Sequence, residues 1–211
     1  MRIETYTAPA AEPVTTSTAK SFLKVDVSTD DTLIDTMIAA ARGLVEEATG
    51  RRLITQTLVG YLDKVPGSLE HAWWDGMREG PVGLLNNASI RIPVGPVQSI
   101  THVKVYDSAG VATTASGSTY YLATKGYGEA EIVLFDGQTW PTVTPRQANA
   151  LEVRFVAGYG AAGSNVPSAL VLATLNLVAW MYEHRGEDIT LDTMPANVKS
   201  ALAPYRNLRL G

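Results

Sequence analysis

The stretch DDTLIDTMIAAARGLVEEATG, residues 30–50, decides the fold because its apolar side chains recur at helical spacing. Those side chains are Leu33, Ile34, Met37, Ile38, Ala41, Leu44, Val45 and Ala48. Their spacing predicts a helix of about 30 Å with one wide apolar stripe. Ser28 and Asp31 fit an N-cap with a capping box, and Gly50 fits a left-handed residue after the last turn. Arg51 and Arg52 are then expected beside the free carbonyl groups. No side chain on this helix suggests chemistry, so we interpret it as a scaffold.

The composition is that of an ordinary soluble globular protein, with 211 residues, 45% hydrophobic residues and a net charge of −4. The absence of cysteine excludes disulfides, thiolate zinc sites and thiol nucleophiles. The first 13 residues contain no apolar run typical of a secretory signal, and the apolar run at 170–182 is too short to cross a membrane. No run of Lys or Arg exceeds two residues, so tight sequence-independent DNA binding is not expected.

The middle of the chain changes from helical to strand patterns. Residues 1–13 are interpreted as an extended arm, and residues 15–25 as a short helix whose Phe22 and Leu23 pack on the long one. Strands separated by glycine-rich turns are predicted at 53–65, 89–92, 100–106, 119–123, 131–135 and 151–157. This pattern favours an antiparallel sheet or a small barrel.

Helical patterns return near the end of the chain, at 167–185 and 195–203. The predicted fold class is therefore α+β, with a helical core from both ends of the chain and an inserted antiparallel β-rich domain. The boundaries are 1–52 for the arm and first helices, 53–160 for the insert, and 161–211 for the last helices and tail.

We predict no catalytic, cofactor-binding or metal-binding residue, and no enzyme activity. His184 beside Glu183 fits a general base only weakly, because adjacent helical residues point about 100° apart. A cation at a helix C-terminus is the better interpretation of His184. His71 and His102 belong to a loop and a strand, and none of the common nucleotide-binding, zinc-protease or serine-hydrolase motifs is present.

Two helical surfaces are candidates for subunit contact. The C-terminal helix is apolar around most of its circumference, so Leu170, Leu177, Trp180 and Met181 are predicted to face a second subunit as well as the core. Ala39, Ala40 and Gly43 on the long helix form a small-residue strip that allows close approach of another backbone. The sequence leaves open whether that backbone belongs to this chain or to a neighbour.

Trp73 and Trp74 lie in an irregular loop at 66–88. Two adjacent indoles in such a loop fit contact with a partner protein, stacking on a sugar ring, or a lid folded over the sheet. Sugar stacking is the weakest of the three, because no second aromatic platform is evident. A carbohydrate- or receptor-binding β module of a phage tail is the alternative function that these residues suggest.

The order of several short motifs resembles a known family. They are LKV at 23–25, DDTLI at 30–34, AAR at 40–42, TGRRLITQ at 49–56, PVGPVQSI at 93–100, FVAGYG at 155–160, VP at 166–167 and YEHR at 182–185. In this order the chain resembles the phage head–tail connector (adaptor, head-completion) proteins of the phiE125 gp8-like group, which are related to gp6-like connectors and to the adaptors of gene transfer agents.

The resemblance implies a structural virion protein at the head–tail junction, assembled in the bacterial host cytoplasm. It implies a ring of twelve subunits under the portal protein, contacting the next connector, stopper or tail protein. DNA would pass through without sequence-specific binding. It also implies that the tail, residues 193–211, orders on docking into an acidic portal groove. Tyr205, Arg206, Leu208, Arg209 and Leu210 would make that contact; a frayed terminus without a role is the alternative.

Overall fold

The computed structural model describes residues 1–66, 89–124, 130–187 and 190–206, and it is an α+β fold, as predicted. Its helices are α1 (Thr16–Leu23), α2 (Asp31–Thr49), α3 (Ser168–Glu183) and α4 (Ala196–Leu202), with short 3-10 helices at Gly163–Asn165 and Ala203–Tyr205. Its strands are β1 (Arg2–Thr7), β2 (Gln56–Leu62), β3 (Ile90–Ile92), β4 (Val97–Tyr106), β5 (Ala112–Thr114), β6 (Tyr120–Thr124), β7 (Ala130–Leu134) and β8 (Leu151–Ala157). In these residues the strands form two open sheets and no closed barrel.

The chain divides into two compact units. The sheet unit comprises Met1–Tyr6, Thr57–Pro93 and Val97–Val156. The helical unit comprises Thr7–Gln56, Val94–Pro96 and Ala157–Gly211.

The sheet unit contains both sheets. One has the strand order β1-β2-β8-β4-β5 and the other the order β3-β7-β6. The pairs β4–β5, β3–β7 and β6–β7 are antiparallel, and Ile132 of β7 lies opposite Ile90 on one side and Leu122 on the other. Alternation along β8 buries Leu151, Val153 and Phe155 completely. The side chains between them therefore lie on the opposite face.

The predicted arm contains a strand that the sequence did not reveal. Residues 2–7 form β1 at the edge of the five-stranded sheet, and β5 forms its other edge. Only Ile3 of β1 is even partly shielded from solvent. Because its side chains are mostly polar and exposed, β1 lacks the apolar alternation by which strands are usually identified. Its pairing with β2 is what defines it.

The helical unit is built around α2, which begins and ends within one residue of the predicted limits. Its buried side chains Ile34, Ile38, Ala41 and Val45 join residues of α1, α3 and α4 in one hydrophobic cluster. Gly50 ends the helix with φ of 69°, as predicted.

The predicted N-terminal capping box of α2 is wrong. Asp30 occupies the N-cap position and makes no side-chain cap, while the carbonyl of Ser28 accepts the amide of Asp31. The Asp30 carboxylate instead accepts the hydroxyl of Tyr182 at 2.6 Å. A tertiary contact with α3 has replaced the local one.

A buried carboxylate connects the end of α2 to the chain that follows. Glu46 accepts the amide of Leu53 at 2.9 Å and the side chain of Gln56 at 3.2 Å, with Arg42 and Arg52 each 3.5 Å away. Burial raises the pKa of Glu46, although these hydrogen bonds and cations oppose the rise. Because the pKa is raised on folding, the protonated form favours the folded state, and that stability is lost as pH rises through the raised value.

The Gly-Tyr-Gly segment at 158–160 makes a close backbone contact within the helical unit. Gly158 has φ of 138°, and a Cβ there would lie 2.5 Å from the amide nitrogen of Thr55. The amide of Thr55 donates to the carbonyl of Gly160 at 2.9 Å. This contact requires glycine and holds Tyr159 beside Arg51. The segment is a turn, as expected.

Candidate interaction surfaces

The apolar residues of α3 predicted for a subunit interface are largely used inside the chain. Leu170, Leu177 and Met181 belong to the hydrophobic cluster of the helical unit, and Leu177 is 0% exposed. Trp180 is partly buried against the same cluster. Three other helices, α1, α2 and α4, pack on α3 and cover most of its wide apolar surface within the described chain. Its part in subunit contact stays a prediction, and Leu172, 51% exposed, is the apolar side chain that α3 offers to solvent.

The small-residue strip on α2 is open. Ala40 and Gly43 are exposed on the side away from Ile38 and Ala41. A Cβ at Gly43 would meet no atom of another part of the described chain within 4 Å. Packing within the described chain therefore does not account for this glycine.

A groove lies beside the start of α3 and was not predicted from the sequence. It has a volume of about 620 Å³ and is lined mainly by apolar atoms. Its walls are the segment from Glu12 to Thr18 and the side chains of Val166, Val171, Leu172 and Leu175. The exposure of Leu172 at its edge could not be predicted from the sequence, because α3 is apolar on nearly every side.

The expectation of a tail that orders only on docking is wrong for residues 193–206. Met194, Val198 and Leu202 are buried in the helical cluster. The carbonyl of Tyr205 accepts the Arg51 guanidinium at 2.7 Å. Arg51 therefore binds the C-terminal segment. It also donates to the Tyr159 hydroxyl at 2.8 Å and lies over the Tyr205 ring.

Among the predicted contact residues of the tail, the exposed Arg206 is the last that the structure describes, and Pro204 lies within a 3-10 turn. Leu208, Arg209 and Leu210 lie outside the described residues, as do Trp73 and Trp74. Their roles stay predictions.

An exposed aromatic pair lies on the three-stranded sheet. The rings of Tyr121 and Phe135 are 5.0 Å apart, and both side chains are more than two-fifths exposed. They line a cavity of about 570 Å³ together with Ser89 and residues 133–138. Aromatic side chains of this kind are enriched at protein contacts.

A polar cluster occupies the face of the five-stranded sheet opposite its buried side chains. Nε2 of His102 lies 2.9 Å from Oε1 of Glu152, and the Tyr106 hydroxyl donates to Oε2 at 2.7 Å. Burial alone would raise the pKa of Glu152, but the hydrogen bonds from His102 and Tyr106 outweigh it and hold the pKa below its ordinary value. Stability from Glu152 is therefore present at neutral pH and lost as pH falls through the lowered value.

The polar side chains of this cluster alternate with buried ones along their strands, and this alternation is visible in the sequence. His102, Lys104 and Tyr106 alternate along β4, and Glu152 and Arg154 along β8. The sequence did not indicate that β4 and β8 are neighbouring strands, because their residues lie about fifty positions apart. Both Glu152 oxygens are occupied by its own chain, so the cluster is explained as an internal network.

His184 is held by its own helix at the C-terminus of α3. Its Nδ1 lies 2.9 Å from the carbonyl of Trp180, and its ring stacks on the Trp180 indole at 4.6 Å. Glu183 does not orient it. In the part of the chain that the structure describes, no group of three or more His, Cys, Asp or Glu residues is placed to hold a metal ion, and no helix is long and apolar enough to cross a membrane.

Solved structures from gene transfer agent particles share the fold over the full chain. A chain from the neck of an empty particle, computed with C6 symmetry, is 21% identical with a TM-score of 0.76. A chain from the virion of a native particle is 21% identical with a TM-score of 0.74. A chain from the neck of a native particle, computed with C12 symmetry, is 20% identical with a TM-score of 0.62. Each comparison covers 100% of this chain and 97% of the other. No protein-family model and no curated protein matches the chain.

Proposed function

We propose that this chain is a structural subunit of the neck of a phage-like particle, a head–tail connector. The observation that carries the proposal is the full-length likeness to neck chains, with a TM-score of 0.76 and nothing substantial unmatched on either side. A likeness over part of the chain would fit a module that is shared by proteins of many functions. A match over both whole chains supports fewer candidate functions. The motif order along the sequence supports the same family independently.

The proposed assembly is a ring of twelve subunits under the portal protein, which completes the head, lets DNA pass and joins the next connector or the tail. The C6 and C12 symmetries of the neighbouring neck structures support a cyclic arrangement. A cyclic ring needs two different complementary surfaces on each subunit. The helical unit offers the strip at Ala40 and Gly43 and the groove at Leu172, which share no residue.

Portal contact is assigned to the tail beyond Tyr205, because Tyr205 itself is engaged by Arg51. Arg206, Leu208, Arg209 and Leu210 combine two cations with two apolar anchors and fit an acidic groove. Trp73 and Trp74 are proposed as a second contact with a neighbouring virion protein.

Negative-stain imaging and native mass spectrometry of the full-length protein test the assembly. The expected result is a ring with a central hole and a mass of twelve subunits, formed alone or on addition of the portal protein of the same particle. A strictly monomeric protein at high concentration, with and without portal protein, would refute the connector function.

A further inference from the structure

Three arginines lie over three tyrosines on the polar face of the five-stranded sheet. The Cζ of Arg2 lies 5.6 Å from the centre of the Tyr61 ring. Arg154 lies over Tyr6 at 3.7 Å and Arg146 over Tyr106 at 4.1 Å. We call this surface the arginine–tyrosine face. Its residues come from β1, β2, β4 and β8 and from the segment before β8, so only the fold brings them together.

The strand residues of this face lie opposite the core of the sheet unit. Val103 and Val105 in β4, and Val153 and Phe155 in β8, are buried completely. Side chains alternate along a strand, so Lys104 and Arg154 point to the other side. There Arg2 is 65% and Tyr6 58% exposed, which makes the β1 end of the face the most accessible.

The face carries an excess of positive charge in a chain whose net charge is −4. Its cations are Arg2, Lys104, Arg146 and Arg154, and its strand carboxylates are Glu4 and Glu152, while Asp63 after β2 accepts the amide of Asn149 next to Arg146. Glu152 is buried, with His102 and Tyr106 on its oxygens and Arg154 3.6 Å away. Glu4 pairs with Arg2 at 3.1 Å. Both strand carboxylates are therefore used inside the face, where they hold the cations in place.

We propose that the arginine–tyrosine face contacts the phosphate backbone of a nucleic acid without reading its sequence. A planar guanidinium that is held against a ring loses little side-chain conformational entropy when its remaining N–H groups bind a ligand. The geometry of those groups suits phosphate oxygens. Four cations per chain make the contact weak and salt-dependent.

The centre of the face distinguishes this ligand from an acidic protein surface. Protein interfaces are depleted of charge at their centres and are most apolar there. Here the middle strands β8 and β4 contribute Glu152, Arg154, His102 and Lys104, a charged centre. A nucleic-acid backbone requires no apolar centre.

The inference goes beyond the proposed function, since it holds or fails for the isolated chain whether or not rings form. If the chain is a connector, each subunit would add one such face to the assembly, giving repeated weak contacts with passing DNA.

The test measures binding of the full-length protein to fluorescently labelled 30-base-pair duplexes of two unrelated sequences. Anisotropy is recorded from about 50 to about 200 mM NaCl, the range over which phosphate contacts lose most affinity. The face variant is Arg2→Gln with Lys104→Gln. The matched control is Lys24→Gln with Lys199→Gln, which removes the same charge from exposed positions of the helical unit.

Wild type should bind both duplexes equally. In the face variant the slope of log affinity against log salt should fall in magnitude by about 1.8, since each lost phosphate contact contributes about 0.9. Between the two salt limits, wild type should therefore lose about 12-fold more affinity than the variant. The control should keep the wild-type slope. Circular dichroism verifies folding, and if the double variant fails to fold, Arg2→Gln is compared with Lys24→Gln.

Two results overturn the proposal. One is a face variant and a control that weaken equally, which would mean that bulk charge alone attracts DNA. The other is wild type that binds poly-glutamate but neither duplex at 50 mM salt, which would assign the face to an acidic protein.

Discussion

Substitutions at Gly43 can test the stability of the chain and its assembly independently. It lies inside α2, at an exposed position where a Cβ would have open space around it. Glycine inside a helix costs about 1 kcal/mol relative to alanine. Since nothing in the described chain contacts this position, Gly43→Ala should raise the free energy of unfolding by about that amount. For a protein of this size the melting temperature should rise by about 2–4 °C.

A larger side chain at the same position tests the proposed subunit contact. Gln is also a good helix former, so Gly43→Gln should be about as stable as Gly43→Ala when the chain is monomeric. If the strip at Ala40 and Gly43 packs closely on a neighbour, Gly43→Gln should prevent ring formation. Ser200→Gln, at an exposed position of α4, is the matched control and should leave rings intact.

Differential scanning fluorimetry measures the first effect, and native mass spectrometry with negative-stain imaging measures the second. A Gly43→Ala protein less stable than wild type would contradict the open surroundings of Gly43. Rings formed by Gly43→Gln at the wild-type concentration would show that the strip is not the subunit contact and would leave the groove beside Leu172 as the candidate surface.

Three further predictions follow from the burial and contacts of the helical and sheet units. Leu177→Ala should lower the free energy of unfolding by about 2–5 kcal/mol in urea titrations, because its side chain is fully buried, whereas the exposed Leu172→Ala should change it by less than about 0.5 kcal/mol. Truncation after Ala203 removes the Tyr205 carbonyl from the buried Arg51 and should cost about 1–3 kcal/mol in thermal unfolding, whereas truncation after Arg206 keeps that hydrogen bond and should weaken portal binding. Urea titrations from about pH 3 to about pH 8 should show the two buried glutamates acting with opposite sign: relative to wild type, Glu46→Gln should gain stability as pH rises above 4.5, and Glu152→Gln should gain stability as pH falls below 4.5. Parallel pH profiles of both variants and wild type would contradict the assigned shifts.

The sequence by itself determined most of the elements and their limits. The apolar repeat of residues 30–50 predicted α2 to within a residue at each end, because a single buried stripe imposes its period on the chain. β8 was predicted at its observed limits for the same reason, with alternate side chains fully buried. β1 was missed because an exposed edge strand carries no apolar alternation and is defined by its partner.

Only the tertiary structure decided which apolar surfaces are used up inside the chain. From its pattern α3 was apolar almost all round, and nothing in that pattern distinguished Leu177, covered by its own chain, from Leu172, left in solvent. Periodicity indicates that a side chain is buried, but it does not indicate which residues or which subunit cover it. Likewise the cations of the arginine–tyrosine face are scattered singly along the sequence, from Arg2 to Arg154, so the absence of a basic run gave no sign of them. Strand pairing between distant segments brings them together, because it depends on backbone hydrogen bonds and on the burial of the opposite face rather than on the charges themselves.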